Sequence, residues 1–230
     1  MSTVADARAA FGVLHLDNHL LVVDKPAGLL AQPDASGDPD LVTLARAWIA
    51  ERFAKPGRVY ATAVHRLDRG VSGVVVIART SKAAGRLSAQ FRERTVEKTY
   101  RAVVEGALVP ADGELTGALA REWSSETGVV ARVVEDHEDD ARDARLAYRT
   151  LATASGRSLV EIALGTGRSH QIRAQLAHAG CPIVGDVKYG ARSRGPLALF
   201  AWRVAFDHPT RGERVAFEAH EPEDWPWPPR

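Results

Sequence analysis

Apolar residues fall into short runs along the chain, and their spacing predicts most of its strands. Gly73–Ala78 is an uninterrupted apolar run, as in a buried strand. Thr95–Glu105 alternates, so every second side chain of this strand shares one face. Gly12–Leu16 and Leu20–Asp24 predict two short strands joined by a turn. Further strands are predicted at Val59–Val64, Val129–Val134, Arg145–Leu151, Leu159–Leu164, Leu197–Phe206 and Val215–Ala219.

Three segments have helical spacing instead. A helix is predicted from Asp40 until the Pro56-Gly57 pair ends it, and a second runs from a cap at Thr80 or Ser81 to about Arg92. Ser169 is predicted to cap a third helix, which ends at Gly180. Strands outnumber helices and are often consecutive, so we expect an α+β fold with a mixed, largely antiparallel central sheet flanked by helices. The apolar face of the first helix is predicted to carry Leu41, Leu44, Ala45, Trp48, Ile49 and Phe53.

Size and composition narrow the class of protein. A chain of 230 residues fits one large domain or two small ones that share a core. Its one cysteine, Cys181, excludes an internal disulfide and a cysteine-based zinc site, and we expect a packed thiol there. No apolar run approaches the ~20 residues that span a bilayer. Met1–Phe11 lacks the features of a signal peptide, so we expect a cytoplasmic protein that does not contact a membrane.

Charge is unevenly distributed, although the net charge is only +1. Ala45–Glu105 holds 13 Lys or Arg against 5 Asp or Glu, and Gly165–Arg214 holds 8 against 3. Between them, Gly106–Asp143 holds 3 against 10. If the two basic segments meet, they form a positive surface suited to phosphates, whereas separately each is an ordinary solvated face. The acidic cluster of Glu135 to Asp140 is expected to be a solvated loop facing away from any polyanion.

The string His65-Arg66-Leu67-Asp68-Arg69-Gly70 is the first candidate for chemistry. It places a carboxylate, Asp68, between two arginines on a loop that glycine bounds. Nearby positive charge keeps such an acid ionised, and an ionised carboxylate can act as nucleophile, general base or metal ligand. A structural salt bridge that anchors the loop explains the same pattern, and spacing alone does not separate these two interpretations.

The second candidate is the glycine-rich turn of residues 165–173, which leads into the third helix. Free N–H groups at a helix start favour an anion. His170 and Arg173 are three residues apart and are expected to share a helical face. An arginine on a helix is a natural two-pronged partner for a buried aspartate. The alternative is a capped surface helix whose charges face solvent.

The third candidate is the pair Lys98 and Tyr100, which share a face of the predicted strand Thr95–Glu105. A tyrosine at this position is either part of the core or a platform on which a flat ligand such as a base can stack.

These three strings, in this order, resemble the RluA-type family of RNA pseudouridine synthases. Residues 65–73 match the family pattern His-Arg-Leu-Asp-x-x-Thr-Ser-Gly at all but one fixed position. Residues 167–173 and 180–190 match Gly-Arg-x-His-Gln-Ile/Leu-Arg and Gly-x-Pro-Ile-x-Gly-Asp-x-x-Tyr-Gly, and residues 98–100 match Lys-x-Tyr. The opening Leu20-Leu21-Val22-Val23-Asp24-Lys25-Pro26-Ala27-Gly28-Leu29 is also family-like.

Two positions depart from the family pattern. Val71 stands where the family usually has threonine, which puts a hydrogen bond of the loop in doubt. Phe200 stands where the family often has histidine, which puts a peripheral contact in doubt. The resemblance implies a pseudouridine synthase catalytic domain at residues 13–220, an extension at 1–12, a tail at 221–230 and no S4-type RNA-binding domain.

The resemblance also implies a reaction and roles for residues. A uridine of structured ribosomal or transfer RNA would be isomerised to pseudouridine without cofactor or metal, by a monomer. Asp68 would be the essential carboxylate, Arg173 would pair with it, and Tyr100 would stack on the uracil. Arg66 would fill the space that the flipped-out nucleotide leaves. The other expected RNA contacts are His65, Arg69, Lys98, Arg168 and His170.

Two other classes of function stay open. An RNA-binding or ribosome-assembly module could keep the fold with little catalysis, although the retained Asp68, Tyr100 and Arg173 argue against lost activity. A metal-dependent hydrolase could use a set of histidines and aspartates, but none of them forms a metal-binding pair within one element. The residues of that set are His65, Asp68, His170, His178 and Asp186.

Overall fold

A computed structural model describes residues 10–54, 56–124, 128–134 and 140–228. Its contacts divide the chain into two compact units, of which unit 1 comprises Met1–Lys98 with Ala201–His220 and unit 2 comprises Thr99–Phe200 with Glu221–Arg230. The acidic stretch 135–139 lies outside the described residues. No helix within the described ranges is long and apolar enough to cross a membrane.

The described residues form the following elements in chain order. The strands are β1 (Gly12–Leu16), β2 (Leu20–Lys25), β3 (Thr62–Ala63), β4 (Ser72–Ala78), β5 (Glu97–Glu105), β6 (Asp112–Ser124), β7 (Gly128–Val134), β8 (Arg142–Ala154), β9 (Arg157–Leu164), β10 (Leu199–Asp207) and β11 (Arg214–Glu218). The helices are α1 (Leu41–Arg52), α2 (Ser81–Glu93) and α3 (Gln171–His178), and Val187–Tyr189 forms one turn of 3-10 helix.

Unit 1 is built on a sheet with the strand order β1-β2-β4-β10, and β3 and β11 are added on β4 and β10. The pairs β1–β2, β2–β4, β3–β4 and β10–β11 are antiparallel. Gly73 opens β4 with φ +113°, and a Cβ there would lie within 3 Å of the backbone of Ala201 in β10. Glycine at this position therefore lets the two strands approach each other.

The core of unit 1 is made by β2 and β4, where Leu20–Val23 and Val74–Ala78 are at most 1% exposed. Helix α1 starts at the predicted position, with Asp40 as its cap, and Thr80, one of the two predicted caps, starts α2. The Asp40 side chain accepts a hydrogen bond from the Thr43 N–H (3.0 Å), and Thr80 accepts one from the Ala83 N–H (3.2 Å). Helix α2 contacts β4.

Asp17, in the β1–β2 turn, ties distant turns of unit 1 together. Its carboxylate accepts hydrogen bonds from the backbone N–H groups of His19 and Leu20, both 2.7 Å long. It also lies 2.8 Å from Nε2 of His208 and 3.3 Å from a guanidinium nitrogen of Arg211 in the β10–β11 turn. One half-buried carboxylate therefore links the β1–β2 turn to the β10–β11 turn.

Unit 2 contains an antiparallel sheet with the strand order β5-β9-β8-β6-β7. Helix α3 packs on β6 and β7. A small apolar cluster between them joins Leu119, Ala131, Ala144 and Ala174, with Tyr189 against it. The Cα trace of β5 places Tyr100 opposite Ile162 of β9.

The predicted α+β class with a largely antiparallel sheet is confirmed, with differences in particular elements. The predicted strand Val59–Val64 shrinks to Thr62–Ala63, and β6 was not predicted. Strand β6 carries Gly113, Gly117 and several charged residues, so its apolar alternation is weak. It forms because β7 and β8 pair with it on both sides, a tertiary context that spacing does not reveal.

Candidate active site

Asp68 lies half-buried on the loop between β3 and β4 in unit 1. Its neighbours Leu67 and Val71 are buried (5% and 3% exposed), so they anchor the loop on both sides of the carboxylate. The Asp68 carbonyl accepts a hydrogen bond from the Val71 N–H (3.0 Å), which closes a turn. Valine in place of the family's threonine therefore keeps this backbone bond and adds apolar burial.

Lys25, at the end of β2, holds this loop through a hydrogen bond to its backbone. Sequence reasoning did not identify it as a site residue. It is fully buried, and its Nζ donates to the carbonyl oxygens of Pro26 (2.9 Å), Leu29 (2.8 Å) and Arg69 (3.4 Å). The last bond ties β2 directly to the residue after Asp68. A lysine that follows a run of buried strand residues is the sequence signal that could have identified it.

The charge of Lys25 acts on Asp68. Burial lowers the pKa of Lys25 to about 8, and the negative charge of Asp68 opposes this shift. Near neutral pH the side chain is therefore still mostly an ammonium ion. The buried positive charge of Lys25 attracts the Asp68 carboxylate. The sequence had suggested that the two flanking arginines supply this positive charge.

Arg69 fastens the other side of the loop. Its Nε donates to the Gly28 carbonyl (3.0 Å), its Nη1 contacts Oδ2 of Asp38 (2.7 Å), and the Gly28 N–H donates to the Arg69 carbonyl (2.8 Å). Gly28 has φ +87°, a conformation that favours glycine. These bonds explain Arg69 as an anchor of the loop, and a contact between Arg69 and RNA stays a prediction.

His65 supports the loop from within the unit. Its Nε2 accepts a hydrogen bond from the Val76 N–H (3.0 Å), and its ring stacks on Phe91 at 4.8 Å with 21° between the planes. Burial, with a smaller contribution from the charge of Lys98, lowers the pKa of His65 to about 3. The imidazole is therefore neutral, as an accepting Nε2 requires. A direct RNA contact of His65 stays a prediction.

Arg66 differs from its neighbours in the same loop. It is exposed, and its guanidinium makes no hydrogen bond or ion pair within the described ranges. Among the described residues, Arg66 thus keeps all its donors available for a ligand, as its predicted role requires.

Lys98, another predicted RNA contact, is half-buried. Burial lowers its pKa, with a smaller contribution from the charge of Arg94.

Two predicted catalytic residues belong to unit 2. Tyr100 is 9% exposed within β5. Arg173, in α3, forms a two-pronged ion pair with Asp186, in which Nε–Oδ2 and Nη2–Oδ1 both measure 2.7 Å. The predicted pair of Arg173 with Asp68 joins residues of different units and stays a prediction. Sequence reasoning had considered Asp186 only as a metal ligand.

Tyr189 completes the surroundings of Arg173. Its ring lies 4.8 Å from the guanidinium carbon of Arg173, a cation–π contact. Its hydroxyl accepts a hydrogen bond from the Ala131 N–H (2.8 Å) and shares another with Nδ1 of His170 (2.9 Å). The side chain of Arg173 is therefore held by a carboxylate on its edge and by an aromatic ring on its face.

The start of α3 differs from the prediction. His170, not Ser169, precedes the first helical residue, and with φ 56° it has left-handed backbone and no side-chain capping bond. The expected common helical face of His170 and Arg173 is therefore wrong, because His170 lies outside the helix. Gly180, with φ 76°, ends the segment as predicted.

Gln171 fixes the turn that precedes α3. Its Oε1 accepts hydrogen bonds from the Thr166 hydroxyl (2.7 Å) and the Arg168 N–H (3.1 Å), and its Nε2 donates to the Arg145 carbonyl (3.1 Å). The Arg168 N–H, in the turn where free N–H groups were expected to favour an anion, is thus occupied. The guanidinium Nε of Arg168 donates to the Asp143 carbonyl (3.1 Å), and an RNA contact of Arg168 stays a prediction.

The remaining sequence features are part of the core. Phe200 is fully buried and meets Trp225 edge to face at 4.9 Å, so its ring packs in unit 2. Cys181 is a buried free thiol, and burial raises its pKa. Among the described residues, no three His, Cys, Asp or Glu side chains lie together as a metal ion would need. Both carboxylate oxygens of Asp186 are occupied by Arg173.

Comparisons with known proteins agree with this architecture. Residues 19–178 match the sequence profile of the RNA pseudouridylate synthase family. The chain is 38% identical over 228 residues to ribosomal large subunit pseudouridine synthase D of Xanthomonas campestris pv. campestris, covering 92% of this chain and 66% of that protein. It is 33% identical to the protein of the same name from Pseudomonas aeruginosa, covering 94% and 69%.

A solved structure shows the same fold. The human RNA pseudouridylate synthase domain containing 4 matches with a TM-score of 0.79 at 24% identity, covering 96% of this chain and 92% of that one. The expected resemblance and the expected fold are both confirmed. The chain belongs to the RNA pseudouridylate synthase family, whose members are isomerases of RNA uridine.

Proposed function

We propose that this chain isomerises a uridine within RNA of the large ribosomal subunit to pseudouridine. The observation that carries the proposal is the loop of Asp68. A half-buried carboxylate sits on a loop that Lys25 and His65 hold from inside the unit, within the stretch that matches the family. A catalytic group must be held in place to this degree if it is to act on one atom of a bound nucleotide.

The reaction changes the connection between base and sugar. The bond from N1 of uracil to C1′ of ribose breaks, the uracil turns, and C5 forms a bond to C1′. C5 loses its hydrogen to solvent and N1 gains a proton, so product and substrate have the same composition. No oxidant, reductant or group donor is needed, which agrees with the expected absence of a cofactor.

Asp68 supplies the essential carboxylate in this proposal. Attack on the ribose, attack on the base and removal of a ribose proton each need an ionised carboxylate on a fixed loop. The buried ammonium of Lys25, which attracts Asp68, supports all three routes. The Asp68 carboxylate therefore has the same requirement in each route: it must carry its negative charge at neutral pH.

Tyr100, Arg173 and Arg66 take supporting roles. Tyr100 offers a rigid aromatic ring from the middle of β5 on which uracil can stack. Arg173 is held by Asp186 and Tyr189 in one orientation, as an arginine that orients a reacting group must be. Arg66 is exposed and makes no hydrogen bond or ion pair with a described residue, so it can enter the space of a flipped-out nucleotide.

The substrate class follows from the relatives. The Xanthomonas and Pseudomonas proteins are named for the large ribosomal subunit, and we carry this substrate to the chain as part of the proposal. Ribosomal RNA places the reaction in the cytoplasm. Transfer RNA, the other substrate class that the sequence resemblance implied, is the alternative that the experiment below distinguishes.

The test is pseudouridine mapping of total RNA by a chemistry that marks the modified base. RNA is compared from cells that contain the protein, cells that lack it, and deletion cells that express wild type or Asp68→Asn. We expect one or a few sites in large-subunit RNA to vanish on deletion and to return with wild type only. Return of the sites with Asp68→Asn would contradict the role of Asp68.

Two other outcomes decide the remaining alternatives. Sites that vanish from transfer RNA alone would contradict the ribosomal substrate and leave the reaction in place. If no site changes and the purified protein also converts no uridine in ribosomal or transfer RNA, the enzyme assignment is wrong. The chain would then be a module that binds RNA without modifying it.

A further inference from the structure

A surface cavity of about 490 Å³ lies in unit 1 on the segment that leads to the Asp68 loop. This volume is within the ~300–1,000 Å³ range of sites that hold small ligands. We call it the Tyr60 cavity. It is lined by Arg46, Arg58, Val59, Tyr60, Ala61 and Thr62.

Tyr60 presents its ring to solvent at this cavity. The side chain is 46% exposed, and its hydroxyl makes no hydrogen bond within the described part of the chain. It is one of four tyrosines, and Tyr100, Tyr148 and Tyr189 are all more buried. An exposed aromatic ring that lines a cavity is a surface on which a planar group can stack.

Arg46 supplies a fixed guanidinium to the same cavity. It projects from α1, and its Nε and Nη2 both donate to the Ala61 carbonyl, at 3.1 and 2.9 Å. These two bonds fix the plane of the guanidinium, while its Nη1 makes no hydrogen bond to any described residue. A pre-oriented guanidinium of this kind matches the geometry of a phosphate.

Arg58 supplies a second positive charge. It is exposed and has no hydrogen bond or ion pair among the residues that the structure describes. From Arg46 to Arg69 the sequence has six Lys or Arg and two Asp or Glu, so the surroundings of the cavity are basic. An aromatic ring with two guanidinium groups fits a ligand that joins a flat base to a phosphate.

The cavity is close to Asp68 along the chain. Tyr60 and Asp68 are eight positions apart, so their Cα atoms are at most about 29 Å apart. An RNA strand that brings a uridine to Asp68 continues on both sides of that uridine. A strand of several nucleotides is long enough to extend from Asp68 to the cavity.

We propose that the Tyr60 cavity binds an unpaired nucleotide of the substrate RNA that flanks the target uridine. Its base stacks on Tyr60, and its phosphate binds Arg46 and Arg58. The inference rests on the proposed function, because that function brings RNA to unit 1. It adds a second point of recognition, separate from the loop of Asp68.

The experiment measures binding of a fluorescein-labelled oligouridylate of about twelve nucleotides by anisotropy, over a series of salt concentrations. We expect Tyr60→Ala to weaken binding roughly tenfold, within the range that loss of one stacked base produces. Tyr60→Phe keeps the ring and is expected to bind within about twofold of wild type. Because the Tyr60 side chain is exposed, thermal unfolding of both variants should match that of wild type.

Arg58→Ala tests the phosphate contact. The slope of the logarithm of the binding constant against the logarithm of the salt concentration is negative, and it should become shallower by roughly 0.7. This is the value for one phosphate of a single strand. Arg92→Ala is the matched control, because Arg92 is also exposed in unit 1 and has no ion pair among the described residues. It should leave the slope unchanged. Equal slopes for Arg58→Ala and Arg92→Ala would overturn the phosphate contact.

The same wild-type preparation is assayed for pseudouridine formation, which separates this inference from the proposed function. If wild type forms pseudouridine while Tyr60→Ala binds as tightly as wild type, the cavity inference is wrong and the proposed function stands. If wild type forms no pseudouridine while Tyr60→Ala loses affinity, the proposed function is wrong and the cavity is still an RNA site.

Discussion

Arg173 and Asp186 meet in a buried, two-pronged ion pair, with 11% of one side chain and 1% of the other exposed. The two residues are thirteen positions apart, one on α3 and the other just before the 3-10 turn. The pair fixes the plane of the guanidinium, and Tyr189 covers its face at 4.8 Å. Whatever Arg173 orients in the reaction, Asp186 determines how Arg173 itself is oriented.

We expect Asp186→Ala to lower the free energy of unfolding by about 3–5 kcal/mol, because it removes the carboxylate that pairs with the largely buried guanidinium of Arg173. Arg173→Met should have a similar effect. The double variant should lose clearly less than the two single losses together, since each single change already breaks the same pair. Urea unfolding of the four proteins measures this coupling. Strictly additive losses would show that the pair does not act as a unit.

Lys25 predicts a specific pH dependence of stability. Its pKa is lowered from 10.5 to about 8 in the folded chain, so above pH 8 the folded state releases a proton that the unfolded state still holds. The free energy of unfolding should therefore gain a favourable contribution from this group as pH rises from about 8 to 10.5. Lys25→Met lacks this contribution and also leaves carbonyl oxygens unpaired, at about 1–3 kcal/mol.

Other groups titrate in the same range, so the measurement compares two proteins. Urea unfolding of wild type and Lys25→Met is followed from pH 7 to 10.5, and the difference between the two curves is plotted. We expect this difference to grow with pH, because only wild type gains. A difference that stays constant would mean that Lys25 is not a buried ammonium ion with a lowered pKa.

The Asp17 carboxylate predicts a loss of stability at acid pH. Burial by itself raises its pKa, but hydrogen bonds from the His19 backbone and the His208 side chain, among others, hold the pKa well below the usual 3.8. Its stabilising contribution is complete above pH 3.8 and is lost as pH falls below that value. Asp17→Asn should cost about 1–3 kcal/mol at neutral pH.

The check is again a difference between two proteins. His15 and His208 also face the Asp17 carboxylate and are present in both. Unfolding free energies of wild type and Asp17→Asn should converge as pH falls through about 3.8, because the wild-type advantage disappears. Parallel curves down to pH 3 would contradict the hydrogen-bonded carboxylate.

Arg66 should matter to activity and not to stability. It is exposed and has no side-chain partner in the described ranges, so Arg66→Ala should change the free energy of unfolding by less than about 0.5 kcal/mol. If it supports nucleotide flipping, kcat/KM should fall by tenfold or more on folded ribosomal RNA and less on a flexible single strand. Arg69→Ala is the contrasting variant. Arg69 anchors the loop, so its replacement should lower the free energy of unfolding. An equal loss on both RNAs would contradict the flipping role.

Periodicity predicted the elements that carry the candidate site. The alternation around Tyr100 and the apolar run after Asp68 are local signals, and both elements are present. The helix start at Asp40 and the cap at Thr80 or Ser81 are equally local signals, and the structure has helix starts at Asp40 and Thr80. The left-handed backbone of His170 was not predicted. A positive φ at a single non-glycine residue is imposed by the surrounding structure and gives no signal in the sequence.

Long-range partners were the main gap. Lys25 binds backbone carbonyls, which every residue carries, so no side-chain pattern marks its partners. Asp186 stands in an apolar context that also suits a metal ligand, and only the fold shows that Arg173 occupies it. These contacts depend on which loops the sheet brings together, and spacing along a chain does not contain that information.

If Asp68 carries the chemistry, Asp68→Asn should abolish the reaction and leave RNA binding intact. The substrate is a transcript of large-subunit ribosomal RNA labelled with tritium at C5 of uridine, because formation of pseudouridine releases that hydrogen to water. With enzyme in excess over RNA, wild type should release tritium in proportion to the sites modified. Asp68→Asn should bind the same transcript with similar affinity and release none above background. Release of tritium by Asp68→Asn at the wild-type rate would show that Asp68 does not carry the chemistry.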